Sequence, residues 1–258
     1  MGPGVDAVIM TRNEECNIAG AIDSALKVTD SVIVLDCGST DRTQSIAAAH
    51  GAKVVCHEFE GFGAQMQFGL GLGEREWVLF LDADERIGDG LAVEIKRAIC
   101  ERRNVDGYRL RRITYIGLVP LRHGGWYPDL TLRLVRRERA RCDGAIVHQQ
   151  LLVGRVASLR TPMDHFSYRN VDHYLDKLKV YTALEVYRRS ARSTTFRARL
   201  FRALPAKAVV RFAWRYLFLG GWRDDLGLEM AVLSAAYDVV VDMKVQERQA
   251  ALGSPHGS

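Results

Sequence analysis

The 258-residue chain is short of the features that mark several protein classes. Its five cysteines, Cys16, Cys37, Cys56, Cys100 and Cys142, form an odd set with no C-x-x-C pair and no Cys/His cluster, which argues against a disulfide framework and a zinc knuckle. With 6 prolines, 23 glycines and no repeat or low-complexity block, its composition is neither fibrous nor disordered. No stretch approaches the roughly 20 uncharged apolar residues of a membrane-spanning helix, and the opening MGPGVDAVIMTRNEE lacks the basic-then-apolar order of a signal peptide. A cytoplasmic protein is the expectation, built as one large domain or one domain with an appendage.

What is present is strongly uneven in charge. The formal net charge of +5 hides 10 Lys/Arg against 18 Asp/Glu over residues 1–107, and 26 against 13 over the remainder. A basic half can face nucleic acid, an anionic membrane or an anionic substrate, and only the local pattern separates these.

The acidic half alternates strand and helix signals. Residues 7–10 (AVIM) form an apolar run ending in Thr11-Arg12-Asn13-Glu14-Glu15, after which Ile18, Ile22 and Leu26 recur at helical spacing. A second run, 32–35 (VIVL), closes on Asp36-Cys37-Gly38-Ser39-Thr40-Asp41 before an alanine-rich, helix-compatible stretch, 43–50. Residues 53–56 and 77–81 (WVLFL) read as third and fourth strands, the latter ending in Asp82-Ala83-Asp84-Glu85. Apolar strands separated by helices predict an α/β fold, a mostly parallel sheet with helices on both faces that binds ligands beyond the carboxyl ends of its strands.

Those ends suit a nucleotide diphosphate. Asp82 and Asp84, one residue apart in extended backbone, project to one side and can share a divalent cation, Mg²⁺ or Mn²⁺. Such an ion would bridge phosphate oxygens and offset the charge on a departing diphosphate. The plainer reading of the same residues is a turn with an N-cap for a helix starting near Ile87. Asp36 stands at a strand end, where a ligand can be met, whereas Ser39 to Asp41 read in part as a loop and helix cap.

The succession VIMTRNEECNI, VIVLDCGSTDRT, GFGAQMQFGL and WVLFLDADERI resembles the family 2 glycosyltransferases of GT-A fold. Further along, GGWYPDLTLRLVRR, CDGAIVHQQL and GGWRDDLGLEMAVLSAAY are similar to the lipopolysaccharide core glycosyltransferases of the WaaE (KdtX) type. The resemblance implies transfer of a hexose, glucose by analogy, from a UDP-sugar with inversion. It implies that Thr11, Asn13 and Glu14 line the nucleotide pocket, that Asp36 faces the uracil, and that Asp82 and Asp84 take the metal and diphosphate. Gln65 and Gln67 then approach the donor from the other side, with Met66 where the family often has lysine.

The middle segment is the expected source of acceptor contacts and of a base. His123-Gly124-Gly125-Trp126-Tyr127-Pro128-Asp129 sets aromatics and a carboxylate in a bent loop, suited to stacking on a sugar and holding its hydroxyls. Trp126, Tyr127 and Asp129 are the candidate acceptor residues. The resemblance makes His148 a site residue, and the family's V-H-E, whose glutamate is the expected general base, reads Val147-His148-Gln149 here. A neutral amide cannot take a proton at pH 7. The remaining accounts are Asp129 as base, which is favoured slightly, His148 as base, or an activity weakened by Gln149.

Between residues 186 and 223 there are ten Lys/Arg and no Asp or Glu, interleaved with aromatics. Residues 208–219 are strongly apolar but only about a dozen long, and Arg211 and Arg215 interrupt them on one helical face, a pattern of a segment lying in a membrane interface. Arg197, Arg202, Arg211, Trp214 and Arg215 are the candidate membrane residues. A helical pair packed on the catalytic domain is the alternative, and no nucleic-acid module is evident.

Taken together, a GT-A domain is expected over residues 5–160, its donor half 5–107 and its acceptor and base segment 108–160, followed by a basic, helical, membrane-facing region over 161–250. The expected partners are a UDP-sugar, a lipid-linked saccharide and the anionic cytoplasmic face of the inner membrane. Rival readings are a catalytically weakened nucleotide-sugar-binding protein, a transferase acting on another glycolipid or secondary-metabolite acceptor, and a nucleotidyltransferase. The last is weak because Thr11-Arg12-Asn13-Glu14-Glu15 carries two acids and no glycine where a triphosphate would sit.

Overall fold

The four apolar runs become neighbouring strands. β1 (Val5–Thr11), β2 (Val32–Asp36), β3 (Lys53–Cys56) and β4 (Trp77–Asp82) pair in parallel in the order β3-β2-β1-β4. Both faces of β1, β2 and β4 are buried, which is why these runs are continuously apolar rather than alternating. Ile9, Val34, Leu79 and Leu81 join one core cluster with Ile18 and Ile22 of α1 (Ile18–Leu26) and Leu91 and Ile95 of α4 (Asp89–Cys100). Val8, Ile33, Leu35 and Phe80 join a second with Leu70 and Met66 of α3 (Phe62–Leu72), and α2 (Thr43–Ala49) connects β2 to β3. The computed structural model describes residues 4–101, 104–142, 151–190 and 204–253.

The helix anticipated near Ile87 starts later. Glu85–Arg86 forms a short strand, β5, and α4 follows an extended Gly88, so neither Asp82 nor Asp84 is its cap. Beyond it come β6 (Gly107–Ile116), β7 (Val119–Leu121), β8 (Asp129–Arg136), β9 (Arg141–Cys142), β10 (Leu151–Leu152) and β11 (Val156–Tyr168). β8 runs antiparallel to both β4 and β6, and β11 antiparallel to β5, giving the order β3-β2-β1-β4-β8-β6-β11-β5.

The chain divides into two units, Met1–Ile113 with Pro128–His165, and Thr114–Tyr127 with Phe166–Ser258. In the second, β7 pairs with the end of β6, and Tyr115 stacks on Phe166 at 4.9 Å. α5 (Val171–Ser190), α6 (Leu204–Ala213), a π-helical turn at Trp214–Phe218, a 3₁₀ turn at Gly221–Arg223 and α7 (Gly227–Gly253) complete it. α7 packs on both α5 and α6, burying Val186, Val241 and Val245 together. A Cβ on Gly227 would lie 1.7 Å from the Gly221 carbonyl oxygen, so this approach admits only glycine. Among the described residues no helix is long and apolar enough to cross a membrane.

Candidate functional site

The register places the polar strand ends side by side: Thr11 is opposite Asp36, and Met10 opposite Asp82. Thr11 is 5% exposed, and its hydroxyl has no hydrogen-bond partner among the described residues. Asn13 adopts φ 54°, a left-handed conformation that asparagine tolerates. Its N–H donates to Ser39 Oγ at 2.9 Å, and its Oδ1 accepts from Thr40 N–H at 2.8 Å, locking the β1 loop to the β2 loop. Glu14 N–H donates to Thr43 Oγ1 at 2.8 Å, and its carboxylate accepts from Asn17 Nδ2 at 2.7 Å.

Asp36 is wholly buried. Its Oδ1 accepts from Gly38 N–H at 3.1 Å, Ser39 N–H at 2.8 Å and Gln44 Nε2 at 2.8 Å, and its Oδ2 accepts from Ser39 Oγ. Three of these donors crowd Oδ1 and one engages Oδ2, so Oδ2 is the less committed of the two oxygens. Gln65 is also buried, its Nε2 donating to the carbonyls of His57 and Glu58 at 3.3 and 2.8 Å, which pins the loop leaving β3. Gln67 Oε1 accepts from Cys142 N–H at 2.9 Å. Met66 packs into the cluster around Val8 and Phe80, surroundings suited to a thioether and hostile to an ammonium.

The D-x-D segment sits in a chain of alternating charges that sequence reasoning missed. Arg133 of β8, 5% exposed along its side chain, donates from Nη2 to Asp82 Oδ2 and to Glu85 Oε1, the latter at 2.7 Å. Glu85 is fully buried; its Oε1 also accepts from Arg112 Nη1 at 3.1 Å, and its Oε2 from Asp82 N–H at 3.0 Å. Arg112 in turn reaches Asp129 Oδ2, at 2.8 Å from Nε and 2.6 Å from Nη2. The order is therefore Asp82, Arg133, Glu85, Arg112, Asp129. Burial pushes the Asp82 carboxyl above the usual carboxylate range; Arg133 acts against this, and the charges of Glu85 and Asp84 reinforce it. Burial opposes the charge on Arg133, but the Asp82 and Glu85 carboxylates outweigh it and raise the guanidinium further. Arg86 fastens the segment to the α1 entry, donating to the carbonyls of Ala83, Glu85 and Asn17 at 2.7 to 2.8 Å.

Asp84 faces a histidine. Its Oδ1 lies 3.4 Å from Nε2 of His165, the two side chains being 15% and 16% exposed. The β5 and β11 pairing, in which His165 stands opposite Glu85, makes this contact. A carboxylate oxygen and an imidazole nitrogen at this separation match two neighbouring ligands on one divalent ion. Among the described residues no three His, Cys, Asp or Glu side chains group to hold a metal, so an ion here would draw its other ligands from phosphate and water, as Mg²⁺ commonly does.

The remaining candidates are in the second unit. Trp126 is partly buried beneath Arg215, whose guanidinium lies 5.2 Å from the ring centroid; burial depresses the pKa of Arg215. Asp224 accepts from the N–H groups of Arg122 and His123 at 2.9 and 2.8 Å and pairs with His123 Nδ1 at 2.8 Å, which shapes the loop before Trp126 and the half-buried Tyr127. Arg211 is paired with Asp238 of α7, whereas Trp214 is 54% exposed. His148, Gln149, Arg197 and Arg202 lie outside the described residues.

The family model described as Glycosyl transferase family 2 matches residues 6–145. An uncharacterized glycosyltransferase of Rickettsia conorii is 42% identical over 104 residues, which is 40% of this chain and 36% of that relative, so the match spans little more than a third of its length. The lipopolysaccharide core biosynthesis glycosyltransferase LpsC of Rhizobium meliloti is 27% identical across 98% of this chain and 95% of its own. Among solved structures, glucosyl-3-phosphoglycerate synthase from Mycobacterium tuberculosis, in complex with Mg²⁺ and uridine diphosphate, aligns with a TM-score of 0.42 at 26% identity over 53% of this chain and 57% of that one.

Proposed function

Because the chain belongs to glycosyl transferase family 2, we propose that it moves a hexose, glucose in the first instance, from a UDP-sugar to a hydroxyl of a lipid-linked saccharide such as lipopolysaccharide core, with inversion. The observation that carries the donor site is the buried, unpartnered Thr11 hydroxyl beside Asp36 at the carboxyl ends of β1 and β2. An orphaned buried hydroxyl costs about 1–3 kcal/mol until a ligand satisfies it. Thr11, Asn13 and Glu14 would line the nucleotide, and Asp36 would accept from the uracil through Oδ2.

Asp84 and His165 would hold a divalent cation, while Arg133 fixes the orientation of Asp82. When bound, the ion supplies electrostatic stabilisation of the leaving diphosphate. Asp129 commits Oδ2 to Arg112, and its other oxygen would take the proton of the acceptor hydroxyl or orient that hydroxyl. Trp126 and Tyr127 would stack on the acceptor sugar. The proposed location is the cytoplasmic face of the inner membrane, with an anionic lipid surface as partner and no nucleic acid.

The test is release of hexose from labelled UDP-hexose, and its transfer to a lipid-linked acceptor, by the full chain and by Asp84→Ala. Metal-dependent turnover abolished by the substitution supports the reading. Donor binding without hydrolysis or transfer would favour the second reading, a nucleotide-sugar-binding protein disabled at Gln149.

A further inference from the structure

The cations that made residues 208–219 look like an electrostatic membrane anchor are engaged within their own unit. Lys207 Nζ lies 3.8 Å from Asp242, Arg211 pairs with Asp238, and Arg215 covers the ring of Trp126. Cations matched within their own unit have little left to offer a phospholipid. The apolar residues of the same segment stand further into solvent. Val210, Trp214, Leu217 and Phe218 recur at spacings of three and four, and their exposures run from 54% for Trp214 to 74% for Phe218. The π-helical turn is what groups them. Leu219 N–H donates to the Trp214 carbonyl at 2.9 Å, and the widened turn lets Trp214 stack on Phe218 at 5.5 Å. Trp222, just beyond, is 57% exposed with the Arg223 guanidinium 5.1 Å from its ring.

We propose that this stripe, Val210, Trp214, Leu217, Phe218 and Trp222, inserts into the interfacial layer of a lipid bilayer, so that membrane attachment is primarily hydrophobic and only secondarily electrostatic. Three observations choose a bilayer over another occupant. Two indoles stand in the stripe, and indole settles at the boundary between headgroup and acyl chain. The flanking chain matches an anionic leaflet: residues 186–223 contain no acid, and besides the three engaged cations they contribute Arg188, Arg189, Arg192, Arg197, Arg199, Arg202 and Arg223. The apolar stretch is also too short to cross, which leaves lying in the interface as its membrane mode. The inference deepens the lipid-linked acceptor reading by naming what holds the enzyme at its substrate.

The experiment is flotation of the full chain with vesicles of phosphatidylcholine alone and with added phosphatidylglycerol, at low and high salt. The wild type is expected to bind both, with high salt removing only the increment due to the anionic lipid. Leu217→Ser with Phe218→Ser, both at exposed positions, should weaken binding to both vesicles about tenfold or more, with thermal unfolding and UDP-hexose hydrolysis unchanged. Arg211→Gln should leave binding to phosphatidylcholine vesicles unchanged. Wild-type binding abolished by salt, or binding unaffected by the double substitution, would overturn the proposal. So would a dimer in light scattering that the double substitution converts to monomer, which would make a second copy the occupant. Because hydrolysis is read separately, its absence alongside intact vesicle binding would refute the transferase reading and leave this one standing.

Discussion

Replacing Glu85 with glutamine removes one charge from the buried chain and almost no volume, which makes it the sharpest probe of how the D-x-D segment is held. Glu85 accepts from two guanidinium groups through Oε1 and from Asp82 N–H through Oε2. A glutamine oxygen can serve one side, but its NH₂ must then face donors on the other, leaving a donor against a donor in a site with no access to water. Two arginines would share two carboxylates, Asp82 and Asp129, in place of three. Breaking a buried ion pair by removing one partner costs about 3–5 kcal/mol. At about 2–4 °C per kcal/mol for a chain of this size, Glu85→Gln should lower the unfolding midpoint by about 6–20 °C. Circular dichroism melts of both proteins in one buffer measure it. A change under about 2 °C would refute the reasoning, because it would mean that the network carries no net interaction.

Other consequences follow from single contacts. Thr11→Val should make the ligand-free protein about 1–3 kcal/mol more stable than wild type, since it deletes an unsatisfied hydroxyl, while weakening UDP about tenfold in calorimetric titration. Asp129→Asn keeps the shape at Arg112; turnover should fall about 10²-fold or more if this carboxylate takes the acceptor proton, with UDP affinity unchanged, and near-wild-type turnover would exclude it. Glu94 accepts from the N–H groups of Arg160 and Thr161 at 2.9 and 2.8 Å; burial works to raise its pKa, but these donors outweigh it and the folded value lies below the usual one. Its stabilising contribution is therefore present above the unfolded pKa of about 4.3 and lost as pH falls through the lower folded value. Glu94→Gln should remove that part of the acid dependence in urea titrations below about pH 4.5 and cost less than about 1 kcal/mol near neutrality, given solvent screening.

The parallel half of the sheet was legible because its strands are apolar on both faces. The third strand spans Lys53–Cys56 as the sequence predicts, the second and fourth grow by one residue, and the first grows by three. The antiparallel half was hidden by its own ion pairs. Arg112 and Arg133 stand at inward positions because Asp82, Glu85 and Asp129 meet them there, and such charges break the alternation by which a strand is recognised. Glu85 follows the D-x-D directly, yet its role depends on arginines 27 and 48 residues away. His165 is 81 residues from Asp84 in the sequence and reaches it only through the pairing of β5 with β11. The same blindness to distance made Arg211 look free on its helix, although Asp238 on α7 meets it.

The proposed donor site takes a nucleotide diphosphate and a divalent ion at the carboxyl ends of β1, β2 and β4. Thermal unfolding with UDP, with and without Mn²⁺, in wild type, Asp84→Ala and His165→Ala tests this most directly. A ligand at a hundredfold excess over its Kd stabilises by about 2.7 kcal/mol. Stabilisation by UDP that Mn²⁺ enlarges in the wild type, and that loses its Mn²⁺-dependent part in both variants, is the predicted result. A folded wild type that responds to no nucleotide under either condition would contradict it.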